Sequence, residues 1–359
     1  MRKGAPRSLP CVLSAVLFAA LVTGVLPHRT VDAAKSTAGT AKDAANASAC
    51  RDLPHSDHPN LWLTNGVLDA RVFLPDATRG FYRASRFDWS GVVGCVSYHG
   101  HRFFGEWLPK YDPLVNDSIA GPVEEFEMED ALSGYADARP DALFVKIGVG
   151  VLRKSGNSPY RSNVVTYPLV DGGTWTTHSH RRSVTFRQRL RSPIGIAYIY
   201  EKRLTLEKNQ AVITLEHRLK NEGTRPIITN VYDHDFYMLD GRSTGPGITV
   251  TFPFDLKPEG ISGNEATIDG KQVVYLREVP KHFSVALKGY SESPASYDFT
   301  IEDQKTGVGV EQSSDHPISR FFLWSAHDTV CPEAFIHLEI PPGKTVQWKI
   351  HYRFFANSQ

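Results

Sequence analysis

Cysteine is scarce in this chain of 359 residues, with only four in all. They stand as Cys11, Cys50, Cys95 and Cys331, so no CxxC pair or His/Cys cluster has the spacing of a zinc site. A fold held by a dense disulfide framework is excluded. An excess of charge of one sign is lacking as well. Forty Lys and Arg stand against 39 Asp and Glu, a formal net charge of +1. That balance gives no footprint for nucleic acid, an anionic membrane surface or a strongly acidic partner. There is no glycine-rich phosphate loop and no GxSxG nucleophile elbow, and the acidic stretches match no calcium-loop pattern. No metal site is therefore expected. No repeat of fixed period is visible, and no amphipathic helix stands out after residue 50. After the N-terminal region no segment is long and apolar enough to cross a membrane.

The one long apolar run lies at the start. Arg2, Lys3 and Arg7 precede an apolar stretch from Leu9 to Leu26, and Ala33 and Ala34 offer small residues for cleavage. This pattern predicts a secretory signal peptide over residues 1–34, and hence an exported chain, periplasmic or secreted, with no stable membrane insertion after cleavage. An uncleaved anchor is the alternative, because the run approaches bilayer-spanning length. No cysteine directly follows the run, which argues against a lipid-modified N-terminus. Residues 35–52 are small, polar and repetitive and read as a flexible linker. The folded domain is expected over 53–359. Cys11 would leave with the signal, so Cys50, Cys95 and Cys331 allow at most one intramolecular disulfide.

What is present is aromatic and alternating. Phe, Trp and Tyr make up 11% of the chain, which suits pleated surfaces. Period-two alternation recurs at 68–75, 183–190, 197–206 and 211–219. The clearest case is Lys344 to Phe354. Val346, Trp348, Ile350, Tyr352 and Phe354 share one face, and Thr345, Gln347, Lys349, His351 and Arg353 share the other. Such alternation predicts half-buried antiparallel strands. Turn residues separate them at Asn221-Glu222-Gly223, Asp269-Gly270 and Pro341-Pro342-Gly343. The expected fold is all-β, a large antiparallel β-sandwich in one domain, with the wet face of one sheet available as a binding trough.

Four stretches carry candidate chemistry. Thr229 to Gly241 sets His234 between Asp233 and Asp235 and flanks them with Tyr232, Phe236 and Tyr237. Imidazole titrates near neutrality, and aromatic faces bury the C–H side of a sugar ring. His327 to Phe354 contains Glu333 among mostly apolar neighbours, where desolvation would raise its pKa toward that of a useful base. Phe81 to Trp107 holds Arg83, Arg86, Asp88, His99 and His101 among bulky rings. Gly121 to Asp130 is acidic, with Glu124 and Glu125, and its plainest reading is a charged loop.

In layout the chain resembles the aldose 1-epimerases, the galactose mutarotase-like family. The segment His234-Asp235-Phe236-Tyr237-Met238-Leu239-Asp240-Gly241 is similar to the family's catalytic His segment, with Asp rather than Asn ahead of the His. Val330-Cys331-Pro332-Glu333, the turn at Pro342-Gly343 and the closing Tyr352-Arg353-Phe354 follow the layout around its catalytic Glu. Ser85-Arg86-Phe87 resembles the segment that supplies a substrate-binding Arg. The family's intermediate His-Gly-Gly is absent, and Gly121-Pro122-Val123-Glu124-Glu125-Phe126 stands in its place. The resemblance implies a mutarotase-like supersandwich and a small sugar or oligosaccharide as partner, with no cofactor. It implies interconversion of sugar anomers, with His234 as acid and Glu333 as base on opposite sides of the acetal centre. Arg86, Glu124, Glu125, Tyr232, Asp235 and Phe236 are the expected substrate-binding residues, with Trp89 a further ring for stacking. Two other readings remain open. One is a non-catalytic carbohydrate-binding module on the same sandwich. The other is a polysaccharide lyase or hydrolase, which would pair Glu333 with Glu124 or Glu125.

Overall fold

The computed structural model describes residues 49–51, 53–128, 133–136 and 138–357. The signal expected over 1–34, and most of the linker expected over 35–52, lie outside the described residues. Alternation turns into strands wherever it was strongest. Thr345–Ala356 buries Trp348, Ile350, Tyr352 and Phe354 and turns Gln347, Lys349 and Arg353 to solvent. It pairs antiparallel with Val212–Asn221 on one side and Val308–Ser314 on the other, inside a ten-stranded sheet. Ser183–Arg191, Ala197–Leu206 and Thr174–His180 extend that sheet toward one edge. Gly343 makes the turn into the closing strand at a φ of +77°, in the left-handed region that other residues rarely adopt.

A second sheet has six strands, in the order Lys257–Ser262, His282–Lys288, Arg320–Ala326, Thr329–Ile340, Ile227–His234 and Val123–Met128. Its pairings are all antiparallel. Leu215, Ile350 and Phe354 of the larger sheet share one apolar core with Val231, Ile336 and Leu338 of the smaller. The protein is therefore the large antiparallel sandwich its sequence predicts, with side chains of two inner faces interleaved. Two short 3-10 turns, Leu239–Gly241 and Pro294–Ser296, interrupt the strands. No helix of the described residues is long and apolar enough to cross a membrane.

A second apolar cluster lies apart from the sandwich core. Phe81, Phe87, Trp89, Val123, Phe236 and Cys331 belong to it, so the 81–90 segment is packed onto one end of the six-stranded sheet. Cys50, inside the stretch read as linker, is buried and disulfide-bonded to Cys95. Cys331 is free and buried.

Candidate active site

Successive side chains of a strand point to opposite faces, and this parity builds the site. On Val123–Met128, Phe126 turns into the sandwich against Tyr200 and Trp348, while Glu125 and Glu127 face outward. On Ile227–His234, Val231 joins the core and Tyr232 and His234 face outward. Arg320, Phe322 and Trp324 alternate with buried Phe321 and Leu323, and Glu333 and Phe335 alternate with Ala334 and Ile336. With Arg86, Trp107, Asp117 and Phe236 these outward residues line an open cavity of about 470 Å³.

His234 and Glu333 meet in its wall. The imidazole Nε2 lies 3.4 Å from Glu333 Oε1. Phe236 stacks on the His234 ring at 3.9 Å and 15°, Phe87 meets it edge-on at 5.4 Å, and Trp324 stands 5.8 Å away. Trp107 stacks on Phe236 in turn, at 5.6 Å. Burial among these rings, aided by the Arg86 charge, lowers the imidazole well below its ordinary pKa. Burial likewise pushes the Glu333 carboxyl up to about 8; Arg86 opposes the rise and Glu125 adds to it. At neutral pH the resting pair thus holds one proton, and it sits on Glu333.

Phe236 reaches its place through an uncommon backbone, at a φ of +46°. Such conformations persist only when the surroundings over-determine them. Gly121 is part of that constraint: a Cβ there would lie 2.2 Å from the Asp235 carbonyl oxygen and 2.7 Å from that of His234.

Glu125 holds the polar side of the cavity together. It accepts from Arg86 Nε at 2.7 Å, Tyr232 Oη at 2.6 Å and Lys146 Nζ at 2.7 Å. Burial alone would raise this carboxyl, but Lys146 and Arg86 pull it far below the ordinary range. Arg86 also donates to Asp117 at 2.6 Å and to Tyr232 Oη at 3.2 Å. Glu125 is thus an ionised buttress whose oxygens are already engaged.

Six of the expected site residues come together in this cavity: His234, Glu333, Arg86, Glu125, Tyr232 and Phe236. Glu124 and Asp235 do not. Glu124 follows the opposite parity to Glu125 and points into the sandwich, where it is fully buried. There it accepts from Lys202 Nζ and lies 2.7 Å from His217 Nε2. Burial would raise it, but Lys202 and His217 hold it at about 2. Val123–Met128 is a strand rather than a charged loop, and Lys202 and His217, far along the chain, neutralise Glu124 inside it. Asp235 is fully buried beside Asp233, and the Tyr352 hydroxyl lies between them, bonded to Asp233 Oδ2 and, at 3.0 Å, to Asp235 Oδ1. Burial raises both carboxyls, Asp233 to about 8 and Asp235 well above its ordinary range, with Glu124 adding to the first and Asp233 to the second. Trp89 is buried and donates to the Ala84 carbonyl at 2.9 Å, away from the cavity lining. With Glu124 in the core and Glu125 fully engaged, neither offers Glu333 a free second carboxylate of the kind hydrolysis requires.

His234 and Glu333, expected as acid and base, are also closer than expected. They do not stand on opposite sides of a sugar-sized gap; they sit on adjacent strands within contact range. Several lining residues were not anticipated: Trp107, Asp117, Glu127, Arg320, Phe322, Trp324 and Phe335. The alternation Arg320-Phe321-Phe322-Leu323-Trp324, one short turn ahead of Glu333, is the signal that would have found three of these residues together. Among the described residues no group of three or more His, Cys, Asp and Glu side chains is placed to hold a metal ion.

No protein-family model matches the chain, and no curated protein matches it either. Solved structures do. A galactose mutarotase-like protein from Clostridium acetobutylicum superposes with a TM-score of 0.53 at 14% identity, over 85% of this chain and 98% of that one. A galactose mutarotase related enzyme from Lactobacillus acidophilus gives 0.50 at 11% identity, over 84% and 98%. The chain has the galactose mutarotase-like fold. At these identities the likeness concerns architecture, and fold alone leaves function to the site. On this mutarotase-like sandwich the cavity opens on the outer face of the six-stranded sheet, lined by aromatic rings and ion-paired polar groups, as suits a small polar molecule with apolar faces.

Proposed function

We propose that the protein is an aldose 1-epimerase-like isomerase that interconverts sugar anomers. The observation that carries this reading is the His234–Glu333 pair, an imidazole and a carboxyl 3.4 Å apart in an open, ring-walled cavity on a mutarotase-like sandwich. Ring opening requires a proton delivered to the ring oxygen and a proton removed from the C1 hydroxyl. Both oxygens are bonded to the same carbon, so an acid and a base side by side can reach both. Glu333 first passes its proton to His234 across their contact. The imidazolium then protonates the ring oxygen while the Glu333 carboxylate takes the C1 hydroxyl proton, and the C1–O ring bond breaks. The pair ends as it began, with its proton on Glu333. Rotation about C1–C2 and the reverse transfers close the ring on the other face, and no net charge or atom is gained or lost.

The remaining groups bind and orient. Arg86, fixed by Glu125, Asp117 and Tyr232, presents its edge to sugar hydroxyls. Trp107 and Trp324 give the C–H face of the ring an apolar wall. The chain is also proposed to be exported, and the Cys50–Cys95 disulfide supports this, since such bonds persist in oxidising compartments.

The test is polarimetry on freshly dissolved α anomers of glucose and galactose. The expected result is a rate above the spontaneous one and proportional to protein concentration. Tight sugar binding by calorimetry with no rate effect would replace this reading with that of a binding module.

A further inference from the structure

The outer face of the six-stranded sheet is a lattice whose rows can be read from the strand register. Glu333 pairs with Phe322 and Phe335 with Arg320. Across the next pairings His337 meets Asn230, Asn230 meets Glu127, Tyr232 meets Glu125 and His234 meets Val123. Apart from Trp324, which pairs with Cys331 beyond the first of them, these outward residues fall in three rows. The first holds His234, Glu333 and Phe322. The second holds Tyr232, Glu125, Phe335 and Arg320. The third holds Asn230, His337 and Glu127. Consecutive rows are two residues apart along the strands, about 7 Å, so the third lies about 13 Å from the first.

The cavity does not stop at the second row, because Glu127 of the third row lines it. A pyranose with C1 over His234 and Glu333 spans about one row step. It would cover the first row and reach the second, leaving the outer end of the cavity empty. That end is built differently from the inner one. Arg320 and Glu127 form an ion pair there with side chains 51% and 36% exposed, where His234 and Glu333 are 4% and 8% exposed. The Arg320 guanidinium lies over the Phe335 ring at 3.7 Å, a cation–π contact that holds its N–H donors at the cavity's outer end. Ser162 and Asn163 also line the cavity, on a loop anchored from below. Buried Asn116 donates to the Ser162 and Val165 carbonyl oxygens at 2.7 and 2.9 Å, so Asn163 is presented on a fixed backbone with its side chain exposed.

We infer that Glu127, Arg320 and Asn163 form a second sugar subsite, and that the substrate is the reducing end of an oligosaccharide. Only the reducing residue carries the free C1 hydroxyl on which the first row acts, so the rest of such a chain must extend outward across the third row. The inference rests on the isomerase reading for the reaction, but not for the binding.

The experiment compares anomer exchange of glucose and galactose with that of maltose, cellobiose and lactose, and measures binding of the same sugars by calorimetry. For at least one disaccharide, kcat/KM and affinity should each exceed the monosaccharide value by about tenfold or more. In the Glu127→Gln/Asn163→Ala double variant that preference should fall at least about fivefold. Equal values for mono- and disaccharides, or a preference the double variant leaves intact, would overturn the subsite. Disaccharides that bind preferentially with no sugar accelerated would retain the subsite and remove the isomerase. Absence of binding by every sugar would remove both.

Discussion

The ring of Phe236 lies almost flat on the ring of His234, 3.9 Å away, although Phe236 must adopt a φ of +46° to put it there. The stack shields one face of the imidazole and fixes its tilt toward Glu333. Replacing Phe236 with Leu keeps an apolar side chain and removes the plate. The expected result is a fall in kcat of about tenfold with a smaller change in KM, because an ordered acid matters more in the transition state than in binding. Steady-state polarimetry on the folded variant reads both parameters, and a loss confined to KM would count against the positioning role.

The one-proton pair predicts a pH profile. The rate should fall as pH rises through about 8, where Glu333 loses the shared proton. It should fall again in acid, where the buried imidazole gains a second proton at a pH well below the ordinary histidine value. Between those limits kcat/KM should be flat. Nitrogen-15 NMR of His234 should report a neutral ring at pH 7 in the sugar-free protein. An imidazolium at that pH would contradict the assignment.

Asp233 and Asp235 face each other across the Tyr352 hydroxyl inside the sandwich, and both carboxyls are raised by burial. A buried acid with a raised pKa binds protons more tightly folded than unfolded. Its contribution is complete below the unfolded value near 4 and is lost as pH rises through the folded value, about 8 for Asp233. Melting temperature should therefore decline from pH 5 to pH 9, by more than about 5 °C. The Asp235→Asn variant should decline less over the same range, since one proton of the pair is then built in. Calorimetry at a series of pH values checks the slope, and identical slopes for the two proteins would refute the linkage.

The Cys50–Cys95 bond closes a loop of 45 residues. By chain entropy alone such a link stabilises by about 4 kcal/mol. Reduction should lower the melting temperature while leaving anomer exchange at 25 °C within about twofold, because neither cysteine lines the cavity. Thermal scans with and without reductant, alongside the activity assay, test this.

Local pattern foretold the architecture, and distant partners decided what it could not. The Lys344 to Phe354 alternation named the buried face of a central strand, because both its neighbours demand the same parity. His234, Glu333, Arg86 and Phe236 were legible through residue type and resemblance. Glu124 and Glu125 were not separable in sequence, since Glu occurs on both faces of their strand. Lys202 and His217, which make burial of Glu124 tolerable, arrive from strands 78 and 93 residues away. Arg320 and Trp324 escaped notice because an apolar alternation beside a catalytic candidate reads as core until the sheet face it occupies is known. The pairing of three cysteines was equally open until folding brought Cys50 to Cys95.

Glu333→Gln tests the central claim most directly. The amide keeps the shape of the carboxyl but can neither hold nor return the shared proton. The variant should retain the wild-type far-UV spectrum and bind sugar within about threefold of wild type, while its polarimetric rate falls at least about a thousandfold. A Glu333→Gln protein that equilibrates α and β anomers as fast as wild type would contradict the account.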